Sequence, residues 1–148
     1  MFSLMKLNKF FLKFCTASLV FAGASVAQAA VEVETARGPV TFEAPVGANV
    51  AIYDNAALDT VTALGVTPKG IITNILVEYL KDVKQDDSVE VGTLFEPDLE
   101  SLNRLKPEAI VIGGRMAPNF DILSKLGPVV DVTNTGVSVE NSLKLLAE

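Results

Sequence analysis

Four apolar residues, Ala109-Ile110-Val111-Ile112, are followed at once by Gly113-Gly114-Arg115, and this junction constrains the chain more than any other stretch. A strand-length run without polar alternation belongs to a strand covered on both faces, as in the parallel sheet of an α/β layer. Ahead of it, Val91 to Lys106 reads as a loop and a short amphipathic helix. Pro97 and Asp98 suit the helix start, Leu99, Leu102 and Leu105 face inward, and Pro107 stops it. Ligands of open α/β sheets bind beyond the carboxyl ends of the strands, so an arginine delivered there is a candidate anion-binding group. Arg115 is the first functional candidate.

The remaining segments repeat the alternation of strand and helix. Asn49 to Tyr53 is a second strand apolar enough to be buried on both faces. After it, Asp54 or Asn55 can cap a helix whose Leu58, Val61 and Leu64 share a face, and Gly65 can end it in the left-handed conformation. Lys69 to Thr73 reads as a short strand. Asn74 can cap a second helix with Ile75, Leu76, Tyr79, Leu80 and Val83 as its buried stripe, and Lys81 to Ser88 is a charged connection. Pro118 opens a further helix with Phe120, Leu123 and Leu126 inward, closed by Gly127-Pro128. Val129 to Val132 is another strand, Thr133 to Gly136 a turn, Ser138 a cap, and Val139 to Glu148 the start of a helix containing Leu143, Leu145 and Leu146. Strand and helix recurring at such intervals predict a mostly parallel sheet with helices on both faces, of the α/β class. Val31 to Glu43 alternates apolar with polar residues around Arg37-Gly38-Pro39, which predicts a solvent-facing β-hairpin at the domain edge.

The first thirty residues read as an export signal. Lys6, Lys9 and Lys13 form a basic start, Phe14 to Val26 is apolar and small, and Ala27-Gln28-Ala29 is an A-x-A cleavage pattern. The run is too short for a membrane span and no stop-transfer pattern follows, so a secreted, periplasmic mature chain beginning near Ala30 or Val31 is expected. Cleavage removes three lysines and no acid. The formal net charge then passes from −6 to −9, with 9 Lys and Arg left against 18 Asp and Glu. So acidic a chain is a poor nucleic-acid binder. The sequence has no histidine, and its one cysteine, Cys15, lies in the export segment. That excludes disulfides, thiolate zinc sites and Cys-His or Ser-His-Asp catalysis in the mature chain. No phosphate-cradling glycine motif and no nucleophile with a base are present, which argues against an enzyme on a flavodoxin-like sheet.

Several motifs together resemble one family. They are Val50-Ala51-Ile52-Tyr53-Asp54 with Ala57-Leu58-Asp59-Thr60 and Ala63-Leu64-Gly65-Val66, then Val91-Gly92-Thr93, Glu96-Pro97-Asp98-Leu99-Glu100, Leu105-Lys106-Pro107-Glu108 and Ile110-Val111-Ile112-Gly113-Gly114-Arg115. In this order the chain resembles the periplasmic substrate-binding proteins of siderophore, haem and vitamin B12 ABC importers, most nearly the branch for ferric catecholate siderophores of the enterobactin and petrobactin kind. Family members have two α/β lobes joined by a long helix, with the ligand held between them. The resemblance covers residues 31–148 and implies the N-terminal lobe, with the C-terminal lobe missing. A truncated, non-functional product is one alternative it leaves.

The resemblance implies a monomeric binding protein, not an enzyme, that captures a ferric siderophore and hands it to an inner-membrane ABC permease, without a cofactor and with the iron held by the siderophore. Arg115 would meet the anionic catecholate oxygens, since a guanidinium offers five donors that stay charged, while Gly113 and Gly114 would allow close approach. Tyr53, Asn55, Asn74, Thr93, Phe95 and Met116 would lie along the same rim. Tyr53 and Phe95 would be placed to stack on catecholate rings, and Asn55 and Asn74 to cap helices. Glu100, with Glu96 second to it, would dock on the permease. Haem would need an axial ligand from Tyr53 or Tyr79. Vitamin B12 lacks the charge that Arg115 would answer.

Overall fold

The computed structural model describes residues 30–75 and 77–133. Leu76, the export signal expected before Ala30 and the turn and helix expected after Thr133 lie outside the described residues. Strands β1 (Val31–Thr35) and β2 (Gly38–Phe42) form an antiparallel hairpin. Strands β3 (Val50–Ile52), β4 (Gly70–Ile71), β5 (Val89–Glu90), β6 (Ala109–Ile112) and β7 (Val129–Asp131) form a parallel sheet in the order β5-β4-β3-β6-β7.

Every residue of β3, β6 and β7 is buried, so the uninterrupted apolar runs reflect cover on both faces. Successive side chains divide between the two faces. Val50, Ile52, Ala109, Val111 and Val130 look toward helix α1 (Asn55–Ala63), a 3-10 helix at Glu78–Val83 and the hairpin. Ala51, Ile110, Ile112 and Val129 look toward helices α2 (Leu99–Leu105) and α3 (Phe120–Leu123). Each fully buried Leu or Ile contributes roughly 1.5–3 kcal/mol to this core.

Local chemistry sets the helix ends. The Asp54 carboxylate accepts from the amides of Ala56 at 2.9 Å and Ala57 at 3.0 Å, so it, and not Asn55, caps α1. Gly65 closes the helix with φ +85°, while its amide and that of Val66 reach back to Thr62 and Val61 in a Schellman arrangement. Leu64, expected inside, is 56% exposed because it is the C-cap and the chain turns away there. Asp98 caps α2 through the amides of Glu100 and Ser101, and Lys106 ends it at φ +50° before Pro107. Leu102 is fully buried on α2, with Leu99 and Leu105 half-buried beside it.

Two segments depart from the sequence reading. Asn74 does not cap a helix; the segment instead forms a 3-10 helix whose N-cap is Val77. Three residues per turn place Leu80 and Val83 on one buried side and turn Tyr79 out, 64% exposed. The hairpin is no solvent-facing appendage either. Val31, Val33, Val40 and Phe42 share one face and pack onto the sheet, with Val33 and Phe42 buried. Its turn is Ala36-Arg37, where the Ala36 amide donates to the Asp131 carbonyl at 2.9 Å and ties the hairpin to β7.

Candidate functional site

The strand order fixes where a ligand can sit. From β3 the chain moves through β4 to β5 on one side, then returns to β6 and β7 on the other, so the order reverses between β3 and β6. Beyond the carboxyl ends of these two strands lie Asp54 and Asn55 on one side and Gly113, Gly114 and Arg115 on the other. The crevice at such a reversal is where open α/β sheets hold ligands.

The two glycines do different jobs. A Cβ on Gly113 would collide with the Asp54 carboxylate, its Cγ at 2.9 Å, so this glycine makes room for the α1 cap and is buried. The expectation that Gly113 serves ligand approach is corrected accordingly. Gly114 is exposed, and a Cβ there would meet only Thr133, at 3.6 Å, which is ordinary contact. Nothing in the packing requires a glycine at 114, and its bare backbone leaves the crevice open.

Arg115 is exposed beside it. The chain has three arginines: Arg37 pairs with Asp131 at 2.7 Å and Arg104 with Glu100 at 3.6 Å, whereas Arg115 has no acidic partner among the described residues. A guanidinium exposed at a strand end, without a carboxylate to neutralise it, is free to donate to an anion. Asn55, the first residue of α1, is half-buried next to this crevice, and its Oδ1 is buried without a hydrogen-bond partner among the described residues.

Tyr53 is not on the rim. It is 1% exposed, and its hydroxyl donates to the Val91 carbonyl at 2.6 Å, bolting the end of β3 to the end of β5 across β4. Burial, then the nearby Asp98 charge, pushes its hydroxyl pKa well above the ordinary tyrosine value. It has no ring face for a catecholate and no oxygen for haem iron. Met116 is likewise fully buried, a plug beneath the loop that follows β6 and not a rim residue.

Thr93 and Phe95 occupy the loop after β5. The Thr93 hydroxyl accepts from the amides of Phe95 at 3.2 Å and Glu96 at 3.1 Å, so it shapes the turn, and Phe95 projects from the tip at 63% exposure. Gly92 at φ +113° allows the turn to close, with the Thr93 amide on the Glu96 carbonyl at 2.8 Å. Asn74, exposed at the end of β4, borders a small recess of about 280 Å³ with Lys81 and Lys84. Glu96 is exposed in the Thr93 turn, and Glu100 lies in the first turn of α2 with its side chain 88% exposed.

Two residues that the sequence did not single out organise this rim. Asn119 Nδ2 donates to the Phe95 carbonyl at 3.2 Å and lies 3.2 Å from Met116 Sδ, which joins the Phe95 loop to the loop bearing Arg115. Arg37 donates from Nε to Asp131 at 2.7 Å and from Nη2 to the Ala117 carbonyl at 3.1 Å, and lies 4.3 Å over the Phe120 ring. The hairpin therefore holds the Arg115 loop from the far side. Asp131 is 2% exposed. Burial pushes its carboxyl upward, but Thr133, whose amide donates at 2.9 Å, and the Arg37 guanidinium outweigh this and hold it below the usual carboxylate range. Among the described residues no group of three or more acidic or cysteine side chains could hold a metal ion.

A wholly parallel five-stranded sheet with a polar, partly unpaired rim at its reversal point is the arrangement of an α/β ligand-binding lobe. Residues 50–148 match the family described as periplasmic binding protein, and the chain belongs to that family. It is 32% identical over 83 residues to the petrobactin-binding protein YclQ of Bacillus subtilis, an alignment that covers 55% of this chain and 26% of YclQ. The crystal structure of YclQ superposes with a TM-score of 0.71 at 26% identity, covering 82% of this chain and 44% of that one. The catecholate-siderophore-binding protein VctP of Vibrio cholerae superposes with a TM-score of 0.63 at 33% identity, covering 70% of this chain and 37% of that one. The matches thus span about a quarter of the curated relative and less than half of each solved structure. No helix among the described residues is long and apolar enough to cross a membrane.

Proposed function

We propose that this chain is the N-terminal lobe of a solute-binding protein that captures a ferric siderophore in the periplasm, after export by a cleaved signal, and delivers it to an ABC permease. The observation that carries this reading is Arg115, exposed and without an acidic partner among the described residues, beside the open backbone of Gly114 at the strand-order reversal. The relatives named for petrobactin and for catecholate siderophores support the ligand class. A tris-catecholate iron complex is a trianion whose oxygens accept from a guanidinium fork, and Phe95 supplies an exposed ring face on the neighbouring loop. No bond is made or broken. The chain binds and releases as a monomer, and the siderophore itself carries the iron.

One lobe encloses only part of such a ligand, so the isolated chain should bind weakly. The test is to titrate it with a ferric tris-catecholate and follow its amide resonances, which the paramagnetic iron broadens where it docks. Broadening centred on Gly114, Arg115 and Phe95 is expected, and Arg115→Ala should weaken binding about tenfold or more, the worth of one charge-assisted hydrogen bond. Broadening elsewhere, equal affinity in the variant, or submicromolar affinity of the lone lobe would count against the assignment.

Glu100 and Glu96, exposed at the start of α2 and in the turn before it, are the proposed permease contacts. Glu100→Arg should reduce co-purification with the detergent-solubilised permease while leaving the siderophore titration unchanged. Unaltered co-purification would remove Glu100 from the interface.

A further inference from the structure

Gly114 and Arg115 make no backbone–backbone hydrogen bond among the described residues, so their place is set by what holds the turn on either side of them. On the far side, the Met116 amide donates to the Gly113 carbonyl at 3.0 Å, the Met116 side chain is fully buried, and the Ala117 carbonyl accepts from Arg37 Nη2 at 3.1 Å. On the near side, the Thr133 methyl lies 3.6 Å from where a Gly114 Cβ would stand, and the Thr133 amide donates to Asp131 Oδ1 at 2.9 Å. Arg37 and Asp131 meet at 2.7 Å. One ion pair therefore stands behind both flanks of the Gly114–Arg115 turn.

We propose that Arg37 is a positioning residue for the ligand: without touching the siderophore, it sets the affinity by fixing where Gly114 and Arg115 stand. This rests on the siderophore-binding function proposed above. A planar guanidinium suits the task, since Nε takes the carboxylate, Nη2 takes the carbonyl and the face lies 4.3 Å over the Phe120 ring, which together leave the plane one orientation. The anchor is the sheet and not a loop. Asp131 is 2% exposed on β7 and pairs in register with Ile112, the last residue of β6 before the glycines. The Ala36 amide donates to the Asp131 carbonyl at 2.9 Å, so the hairpin turn that carries Arg37 is fastened to the same residue. Hydrogen bonds weaken steeply as distance and angle depart from ideal, so a turn displaced by about 1 Å loses much of what Arg115 can give an anion. Arg37 precedes the residues 50–148 that match the family, and membership by itself implies nothing about it.

The test is a double-mutant cycle in the full chain, titrated with a ferric tris-catecholate at a temperature where every variant is folded. Arg37→Ala should weaken binding about threefold or more, and Arg37→Ala combined with Arg115→Ala should bind no more weakly than Arg115→Ala alone, because Arg37 acts only through the group already removed. Val33→Ala, which thins the packing of the same hairpin on the core, should lower Tm and leave the affinity unchanged. In the ligand-free chain, backbone amide relaxation should show Gly114–Ala117 more mobile in Arg37→Ala, with β3 unaltered. Parent-like affinity in Arg37→Ala, additive losses in the combined variant, or equal weakening by Val33→Ala would overturn the assignment. If the parent does not bind, the siderophore function fails, and the relaxation measurement decides the positioning role by itself: an unaltered turn in Arg37→Ala refutes it. Should Arg37→Ala not fold, Arg37→Gln, which keeps an amide donor for the carboxylate, takes its place in the cycle.

Discussion

Gly92→Ala is expected to lower the unfolding free energy by about 2–6 kcal/mol, because two penalties fall on one residue. Its φ of +113° lies where side chains are rarely tolerated, a strain of order 1–3 kcal/mol. A Cβ would also stand 2.5 Å from the Asp98 amide nitrogen and closer still to the Glu96 carbonyl, an overpacking of about 1–3 kcal/mol. Neither atom can retreat cheaply. The Glu96 carbonyl holds the Thr93 amide at 2.8 Å, and the Asp98 amide holds the Val91 carbonyl at 2.8 Å while the Asp98 side chain caps α2. Gly65→Ala supplies the comparison, since Gly65 has φ +85° but nothing within 4 Å of its absent Cβ. It should show the backbone penalty alone, about 1–2 kcal/mol. Urea denaturation followed by far-ultraviolet circular dichroism measures both, and equal losses would refute the steric part of the argument. Domains of this kind have only about 5–15 kcal/mol in total, so Gly92→Ala should also loosen the Phe95 tip at the rim.

Arg37→Ala is expected to cost about 1–3 kcal/mol, because it leaves the buried Asp131 carboxylate without its guanidinium. This is less than the about 3–5 kcal/mol of a fully buried pair, since the Arg37 side chain is 42% exposed and water screens it. The sign of the pH dependence follows from the direction of the Asp131 shift. Its folded-state pKa is depressed, so its contribution is complete above the unfolded carboxylate value of about 4 and is lost as pH falls through the folded-state value. In Arg37→Ala one of the groups holding the carboxyl down is gone, so the acid-side loss of stability should be shallower than in the parent. Arg37→Ala combined with Asp131→Asn should recover part of the deficit, because no charge is then stranded. A parent-like acid limb in Arg37→Ala, or no recovery in the double variant, would show that the pair does not carry this stability.

The parts of the architecture legible in the sequence were those set by near neighbours. Ala109–Ile112 and Val129–Val130 are buried on both faces, as runs without polar alternation require. Gly65 closes α1 as a left-handed cap because Val61, Thr62 and Val66 lie within one turn of it. The run Glu78–Val83 misled because apolar spacing at three and four residues fits both an α-helix and a 3-10 helix. Tyr79 faces inward in the first and outward in the second.

The candidate site divides along the same line. Residue order was enough to carry Arg115 and Gly114 to a strand end and Glu100 to the exposed side of a capped helix, because strand length, helix period and capping act over a few residues. Which neighbours share the rim with Arg115 depended on partners far along the chain. Tyr53 is withdrawn from the rim by a carbonyl 38 residues away, and Arg37, anchored on a carboxylate 94 residues away, supports the Arg115 loop through a carbonyl 80 residues away. Pairings at such distances have no periodicity to betray them. They exist because parallel strands and a docked hairpin bring remote backbone groups together, where a buried hydroxyl or carboxylate must find a partner or raise the free energy of the fold.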